Sequence, residues 1–347
     1  GRQKSRRAEA VLEECQGLVA RGTREIVLLG QNVNSYGLDK AGDGTSFSRL
    51  LRRVAALPGL ERLRYVTPHP KDMGPEDIAA FAELPQLCPR LHLPMQAGSD
   101  AVLARMKRRY DSAGFLDLVE RLRAARPDLA LSTDLIVGFP GESEQDFQDT
   151  LNMMRASNFM SSFSFCYSDR PGTRASLFPD KIPADVAQDR LLRLQALQDE
   201  LGARWLVGRL DGQAQSTLLL EGPSPKTSEG QEPSWQGRDP YGVPVHVPLP
   251  AGIDHTGRHG DGLGQGAVGG GAIKNTEVNT GAWGGEEAAS HPPPASGLGV
   301  GDDGSAGWGP CQSLLPKKGI GGWQRIVHGD APGSLGVSQL QGNGGWG

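Results

Sequence analysis

The feature that most restricts what this chain can fold into is an alternation, kept up over its first two hundred residues, of amphipathic helical stretches with short apolar runs. Val11, Leu12, Cys15, Leu18 and Val19 recur at the spacing of one helix face, and Gly22 follows as a terminator. Glu25 to Leu29 is then too short for a helix and reads as a strand buried by its neighbours. The pattern returns four times. Phe47, Leu50, Leu51 and Val54 precede a strand at Leu63 to Val66, and Ile78 and Phe81 precede one at Arg90 to Leu93. Phe115, Leu118, Val119 and Leu122 lead to Leu129 to Val137, and Phe147, Leu151 and Met154 lead to Phe163 to Tyr167. Five strands alternating with helices require a mostly parallel sheet covered by helices. An open doubly wound sheet and a closed or partial barrel both satisfy this, and periodicity does not choose between them.

A long amphipathic helix is expected from Pro183 to Val207, carrying Val186, Leu191, Leu194, Leu197 and Leu201 on one side. Ala214 to Glu221 and Val243 to Leu249 then read as strands of a small β domain, separated by a stretch rich in Gly, Pro and Ser. From Ala251 onward more than half of the 49 glycines are concentrated, in segments such as HPPPAS, GVGDDGSAGWG and GNGGWG. Such segments bury too little apolar surface to offset the entropy of ordering them, so this tail is expected to be disordered or to come from a shifted reading frame. The expected divisions are residues 1–210, 211–255 and 256–347.

A formal charge of −4 gives no global attraction to nucleic acid, so RNA contact would have to come from local basic clusters. Two such clusters exist, Arg2, Lys4, Arg6 and Arg7, and Arg105, Lys107, Arg108 and Arg109. No apolar run approaches the roughly 20 residues of a membrane span and no leader opens the chain, so a cytoplasmic protein without membrane contact is expected. Because helix-like sequence follows Gly1 almost at once, the chain is expected to start inside a longer protein. Cys15, Cys88, Cys166 and Cys311 lie far apart with no C-x-x-C or C-x-x-H spacing, so none forms a local metal motif. The first three are expected as small apolar residues on buried faces.

Parallel βα architectures bind ligands at the carboxyl ends of their strands, where loops gather and helix N-termini present unpaired N–H groups. The first strand ends in Gly30, Gln31, Asn32 and Asn34; the third leads to Gln96, Gly98, Ser99 and Asp100; the fourth carries Ser132 and Asp134 and runs into Gly138, Gly141 and Glu142. Each has an ordinary structural explanation, since glycines make turns and Asp100 or Ser143 would serve as a helix N-cap. His69 and His92 likewise read as structural, with no carboxylate–histidine pair evident for acid–base chemistry.

In combination, the strings RGTREIVLLGQNVNSYG, TPHPKD, LHLPMQAGSD, LSTDLIVGFPGES and YSDRPGT, in this order, resemble the tRNA methylthiotransferases of the radical S-adenosylmethionine superfamily. LLEGPSPK and WQGRDPYGVPVHV resemble the opening of that family's RNA-binding β-barrel, the TRAM domain. The resemblance covers Gly1 to about Leu249. It implies an α/β fold: a partial (βα) barrel of the radical-SAM type, followed by an incomplete small β-barrel and the tail. It further implies addition of a 2-methylthio group to N6-isopentenyladenosine beside the anticodon, with S-adenosylmethionine and two [4Fe–4S] clusters as cofactors. The implied partners are tRNA, at its anticodon stem-loop, and an electron donor. The aromatic C–H attacked is neither acidic nor nucleophilic, which is why a cofactor must supply the reactive species. The alternatives are a sister enzyme acting on an aspartate of a ribosomal protein, and a non-catalytic RNA-binding remnant.

By the same resemblance Gln31 and Asn32 would lie near the methionine moiety, and Gln96, Ser99 and Asp134 near the ribose or methionine carboxylate. The backbone of Val137, Gly138 and Gly141 would receive the adenine. Arg105, Lys107, Arg108, Arg109 and Arg170 would face RNA. The C-x-x-x-C-x-x-C loop that holds the family's cluster would lie just before GRQKSRR and is not in this sequence, so no metal ligand is assigned and the chain is expected to be inactive alone.

Overall fold

The computed structural model describes residues 4–39, 42–66, 68–211, 216–225, 234–249, 256 and 335–339. Helices and strands alternate as α1 (Ala8–Ala20), β1 (Glu25–Leu29), α2 (Phe47–Ala55), β2 (Arg62–Tyr65), α3 (Pro75–Glu83), β3 (Arg90–His92), α4 (Asp100–Arg105), α5 (Ser112–Ala125), β4 (Ala130–Val137), α6 (Glu144–Ser157), β5 (Ser161–Cys166) and α7 (Ala184–Asp211). Short polar residues set the helix starts. Ser46, Asp111 and Ser143 accept from backbone N–H groups three residues on, and Ser143 and Asp146 form a reciprocal capping box. Asn158 ends α6 in the left-handed conformation.

Strand order decides between the two architectures left open by periodicity. β1 pairs in parallel with β2, β3 with β4 and β4 with β5. A parallel bridge from Leu63 to Leu87 joins β2 to the segment entering β3, with Leu63 N–H bonded to Gln86 O and Cys88 N–H to Leu63 O. Each strand is thus added beside the one before it, with no switch point, so right-handed crossovers lay every helix on the same face. A doubly wound sheet reverses its order; a barrel does not. The fold is therefore a partial (βα) barrel.

The helix-facing side of the sheet is apolar. Ile26, Leu28, Leu63, Tyr65, Leu91, Leu131, Leu135 and Val137 join the helix residues Leu12, Cys15, Leu50, Leu51, Phe81, Phe115, Leu122, Phe147 and Met154 in one core. The opposite, concave side carries Glu25, Arg62, Arg64, Arg90, His92, Ser132, Asp134, Phe163 and Phe165, as the strand registers dictate. Only half of each strand is core, and the charged residues of the strands lie on the inner face.

β6 (Leu219–Pro223), β7 (Ser234–Arg238) and β8 (Pro244–Pro248) form an antiparallel meander around Leu218, Leu220, Trp235 and Leu249. β7 was not expected as a strand, because only Trp235 marks its apolar side. The meander closes the amino-terminal end of the barrel. Arg62 donates to Thr217 O (2.7 Å) and Arg238 O (2.8 Å), Arg64 to Asp239 O (3.2 Å) and Arg90 to Tyr241 O (3.0 Å). Glu25, buried between Arg62 and Arg64, and Asp239, paired with Arg209 at 2.7 Å, supply the compensating charge. Burial among these cations pushes Arg90 down to about 10.

Within the tail, β9 (Leu335–Gln339) pairs in parallel with β1 along Glu25–Leu29. The remaining tail residues, 257–334 and 340–347, lie outside the described residues. Among the described residues no helix is long and apolar enough to cross a membrane.

Candidate functional site

Since the five barrel strands are parallel, the segments that follow them gather at one rim. The loop after β1 locks onto the loop after β2. Asn32 donates through Nδ2 to Asp72 Oδ2 (2.7 Å), and the Ser35 hydroxyl donates to the same oxygen (2.7 Å). Asn34 and His69 exchange two bonds, Asn34 Nδ2 to His69 O (3.1 Å) and His69 N–H to Asn34 Oδ1 (2.9 Å). Burial opposes ionisation of Asp72, but the donors Ser35 and Asn32 outweigh it and hold the carboxyl below its ordinary value. The His69 pKa is lowered by burial and by Arg108, so this ring stays neutral near pH 7. It packs edge-on to Tyr110 (5.8 Å), whose hydroxyl donates to Pro94 O and Met95 O after β3. Thr133 of β4 then accepts from Met95 N–H (2.8 Å). Four strand ends are tied into a continuous polar rim.

Gln31 is exposed at this rim. Gln96 adopts φ 71° and continues the pairing of β3 beyond its end, its N–H bonded to Asp134 O and its carbonyl to Ile136 N–H. Ser99, rather than Asp100, caps α4, and its hydroxyl donates to Asp146; Asp100 accepts from Ser112 N–H instead. After Val137 the chain turns through Gly138 (φ 70°) and Gly141 (φ 80°). A Cβ at Gly138 would stand 2.7 Å from that of Ala187, and one at Gly141 would collide with Asp180 and Arg105. Glu142 folds back beneath this turn, accepting from Gly138 N–H (2.7 Å) and Arg190 Nη1 (2.8 Å) with its side chain fully buried. Burial raises its carboxyl pKa against these two donors.

The inner face holds the grouping that sequence reading missed. His92 and Ser132 are register partners on β3 and β4, and Asp134 is the next residue on the same side. His92 Nδ1 lies 3.1 Å from Ser132 Oγ, and Nε2 lies 3.3 Å from Asp134 Oδ2. A carboxylate–histidine pair therefore exists where none was expected, and Asp134 is neither N-cap nor turn residue. Phe163, the register partner of Asp134, meets the His92 ring edge-on at 5.9 Å. Phe163 and Phe165, on the edge strand β5, are 45% and 55% exposed.

Of the basic residues, Arg105 is already engaged, paired with Asp180 at 2.7 Å and lying over the Phe178 ring at 5.0 Å. Lys107, with φ 57°, and Arg109 are exposed and Arg108 half-buried, flanking the rim residue Tyr110. Arg170 is exposed in the segment after β5. These four present cations to the same end of the barrel. Arg2 lies outside the described residues, and Arg6 pairs with Glu14 on α1.

The three described cysteines do not fit an iron–sulfur cluster. Cys15 sits within the helix-covered core, and burial pushes the Cys88 thiol up to about 11. Burial, then Glu142, also raise Cys166, so both thiols resist the thiolate form a cluster requires. Cys311 lies outside the described residues. Among the described residues no three His, Cys, Asp or Glu side chains converge as a metal site.

The sequence model of the Radical SAM superfamily matches residues 1–154, which span α1 to most of α6. A tRNA-2-methylthio-N(6)-dimethylallyladenosine synthase of Nitratidesulfovibrio vulgaris is 58% identical over 258 residues, 74% of this chain and 57% of the relative. The synthase of the same name from Oleidesulfovibrio alaskensis is 53% identical over 272 residues, covering 74% and 58%. That of Acidothermus cellulolyticus is 47% identical over 246 residues, covering 71% and 49%. The chain thus spans between half and six tenths of the length of the relatives it matches. With the barrel, the rim and this identity taken together, residues 1–154 match the radical SAM superfamily, and the chain is similar over about three quarters of its length to these synthases.

Proposed function

We propose that this chain is the barrel and part of the β module of an enzyme that adds a 2-methylthio group to N6-isopentenyladenosine beside the anticodon of tRNA. One observation carries the reading. All five strings that mark the resemblance lie along or just after consecutive parallel strands, so their polar groups gather toward a single rim. In the proposed enzyme S-adenosylmethionine and two [4Fe–4S] clusters belong to the whole protein. Because the described cysteines do not fit a cluster, the work of this chain's own residues is to hold nucleoside and RNA.

For the cofactor nucleoside, the backbone from Val137 to Gly141 and the side chains of Gln31, Gln96 and Asp134 are the proposed contacts. Ser99 and Asn32 act one step removed. The Ser99 hydroxyl is committed to Asp146, and the Asn32 amide to Asp72, so both shape the rim that makes the contact. For RNA, Lys107, Arg108, Arg109 and Arg170 are the proposed phosphate partners, with Arg105 holding the Gly141 turn through Asp180. An electron donor completes the proposed set of partners.

The test is a graft. Residues 4–249 replace the matching part of the N. vulgaris synthase, and the gene is expressed in cells lacking their own enzyme. Mass spectrometry of digested tRNA is expected to show the 2-methylthio nucleoside restored. A soluble graft that leaves isopentenyladenosine unmodified overturns the proposal.

A further inference from the structure

We infer that Phe163 and Phe165, with the His92 ring beside them, form the platform on which the purine base to be modified stacks once it leaves the anticodon loop. The inference rests on the tRNA reading above and names the site that reading lacks. Phe163 and Phe165 sit at alternate positions of β5, so both rings project from the concave face about 6.6 Å apart along one strand. Each leaves about half of its surface in solvent, whereas Phe115, Phe147 and Phe159 are wholly covered. The ledge is bordered on β4 by Asp134 beside Phe163 and by Ile136 beside Phe165. His92 stands edge-on to Phe163 and is fixed at both ring nitrogens by Ser132 and Asp134.

A flat aromatic surface edged by hydrogen-bonding groups suits a nucleobase, whose faces are π-systems and whose edges are donors and acceptors. A lipid or a protein core would leave the His92–Asp134 edge without a partner of its own kind. Charge points the same way. Lys107, Arg108, Arg109 and Arg170 lie in segments that follow β3 and β5, and they complement a phosphodiester backbone carrying the base. A base seated here needs no rearrangement of the core, because neither ring contributes to it.

Binding of the nucleoside N6-dimethylallyladenosine, and of an anticodon stem-loop containing it, is measured on the full 347-residue chain by equilibrium dialysis. Phe163→Ala and Phe165→Ala are each expected to weaken binding about ten-fold. Phe163→Tyr is expected to restore it, and Leu177→Ala, which changes an exposed apolar residue elsewhere, to have no effect. Thermal unfolding confirms that each variant is folded, as expected for side chains outside the core. Equal binding by the double alanine variant, or no binding by the parent chain, overturns the inference. Displacement of the nucleoside by S-adenosylmethionine with the same Phe dependence also overturns it, by assigning the ledge to the cofactor. A failed graft alongside Phe-dependent nucleoside binding would remove the enzymatic reading and leave the platform standing; an active graft indifferent to both alanines would do the reverse.

Discussion

Replacing Glu142 by Ala should destabilise the barrel by about 3 kcal/mol. The Glu142 side chain has no solvent exposure, Arg190 is 6% exposed, and the two meet at 2.8 Å. Removing one partner of such a pair costs roughly 3–5 kcal/mol, because the other charge is left buried. Arg190 keeps two lesser partners, the Glu142 carbonyl at 3.0 Å and Glu144 at 3.5 Å, which places the loss at the low end. Loss of the bond to Gly138 N–H prevents it from falling lower. With a urea slope near 2 kcal/mol/M, the unfolding midpoint should fall by about 1.5 M. Glu142→Gln keeps the shape and offers one oxygen to both donors but leaves the Arg190 charge uncompensated, so it should cost less than Glu142→Ala without being neutral. The double variant Glu142→Gln with Arg190→Met removes the buried charge altogether and should be close to neutral. The sign of the pH dependence is set by the raised pKa of Glu142. The folded state binds this proton more tightly than the unfolded chain, so the contribution is fully present below the ordinary value of 4.5 and is lost as pH rises through the folded pKa. The stability difference between parent and Glu142→Gln should shrink accordingly. A loss below about 0.5 kcal/mol for Glu142→Ala at pH 7 would refute the claim that this pair holds the turn after β4.

Asp72→Asn should cost about 1 kcal/mol at pH 7 and nothing at strongly acid pH. Its carboxyl pKa is lowered in the fold, so the stabilisation is present above 3.8 and lost as pH falls through the folded value; urea titrations at several pH values read this directly. Asp239→Ala should loosen the β meander from the barrel by stripping Arg209 of its 2.7 Å partner, seen as several-fold faster proteolysis between α7 and β6. Gly141→Ala should cost at least about 1–2 kcal/mol, since an L residue is strained at φ 80° and the new Cβ meets Asp180 and Arg105; a thermal shift below that of Gly172→Ala, at an open glycine, would contradict it. Replacing Arg108 and Arg109 by Ala should weaken anticodon stem-loop binding and lower the slope of log affinity against log salt by about 1.4 for single-stranded contacts, with no loss of stability.

How much of this was legible in the sequence follows from the range of the interactions. The five strands and their helices came from local periodicity, and the Ser143 cap from its place before an apolar repeat. The choice of a barrel required strand order, which is a contact between residues many tens of positions apart. The inner face was half visible: Arg62-Leu63-Arg64-Tyr65 and Ser162-Phe163-Ser164-Phe165 alternate, but alternation alone does not say which side the core takes. His92 and Asp134 escaped notice because only the β3–β4 register brings them together. The same holds for Asn32 with Asp72 and for Glu142 with Arg190, where conserving local geometry gives no sign of the partner. Between Ser99 and Asp100 both residue types cap well, and the backbone angle at Ser99 decided it.

The most direct test of the central claim offers the purified graft two acceptors together, an isopentenylated tRNA and the ribosomal protein whose aspartate the sister enzyme modifies. Mass spectrometry of both products then shows where the methylthio group has gone. The account predicts it on the adenosine beside the anticodon and none on the protein; transfer to the aspartate, with the tRNA unchanged, would contradict it.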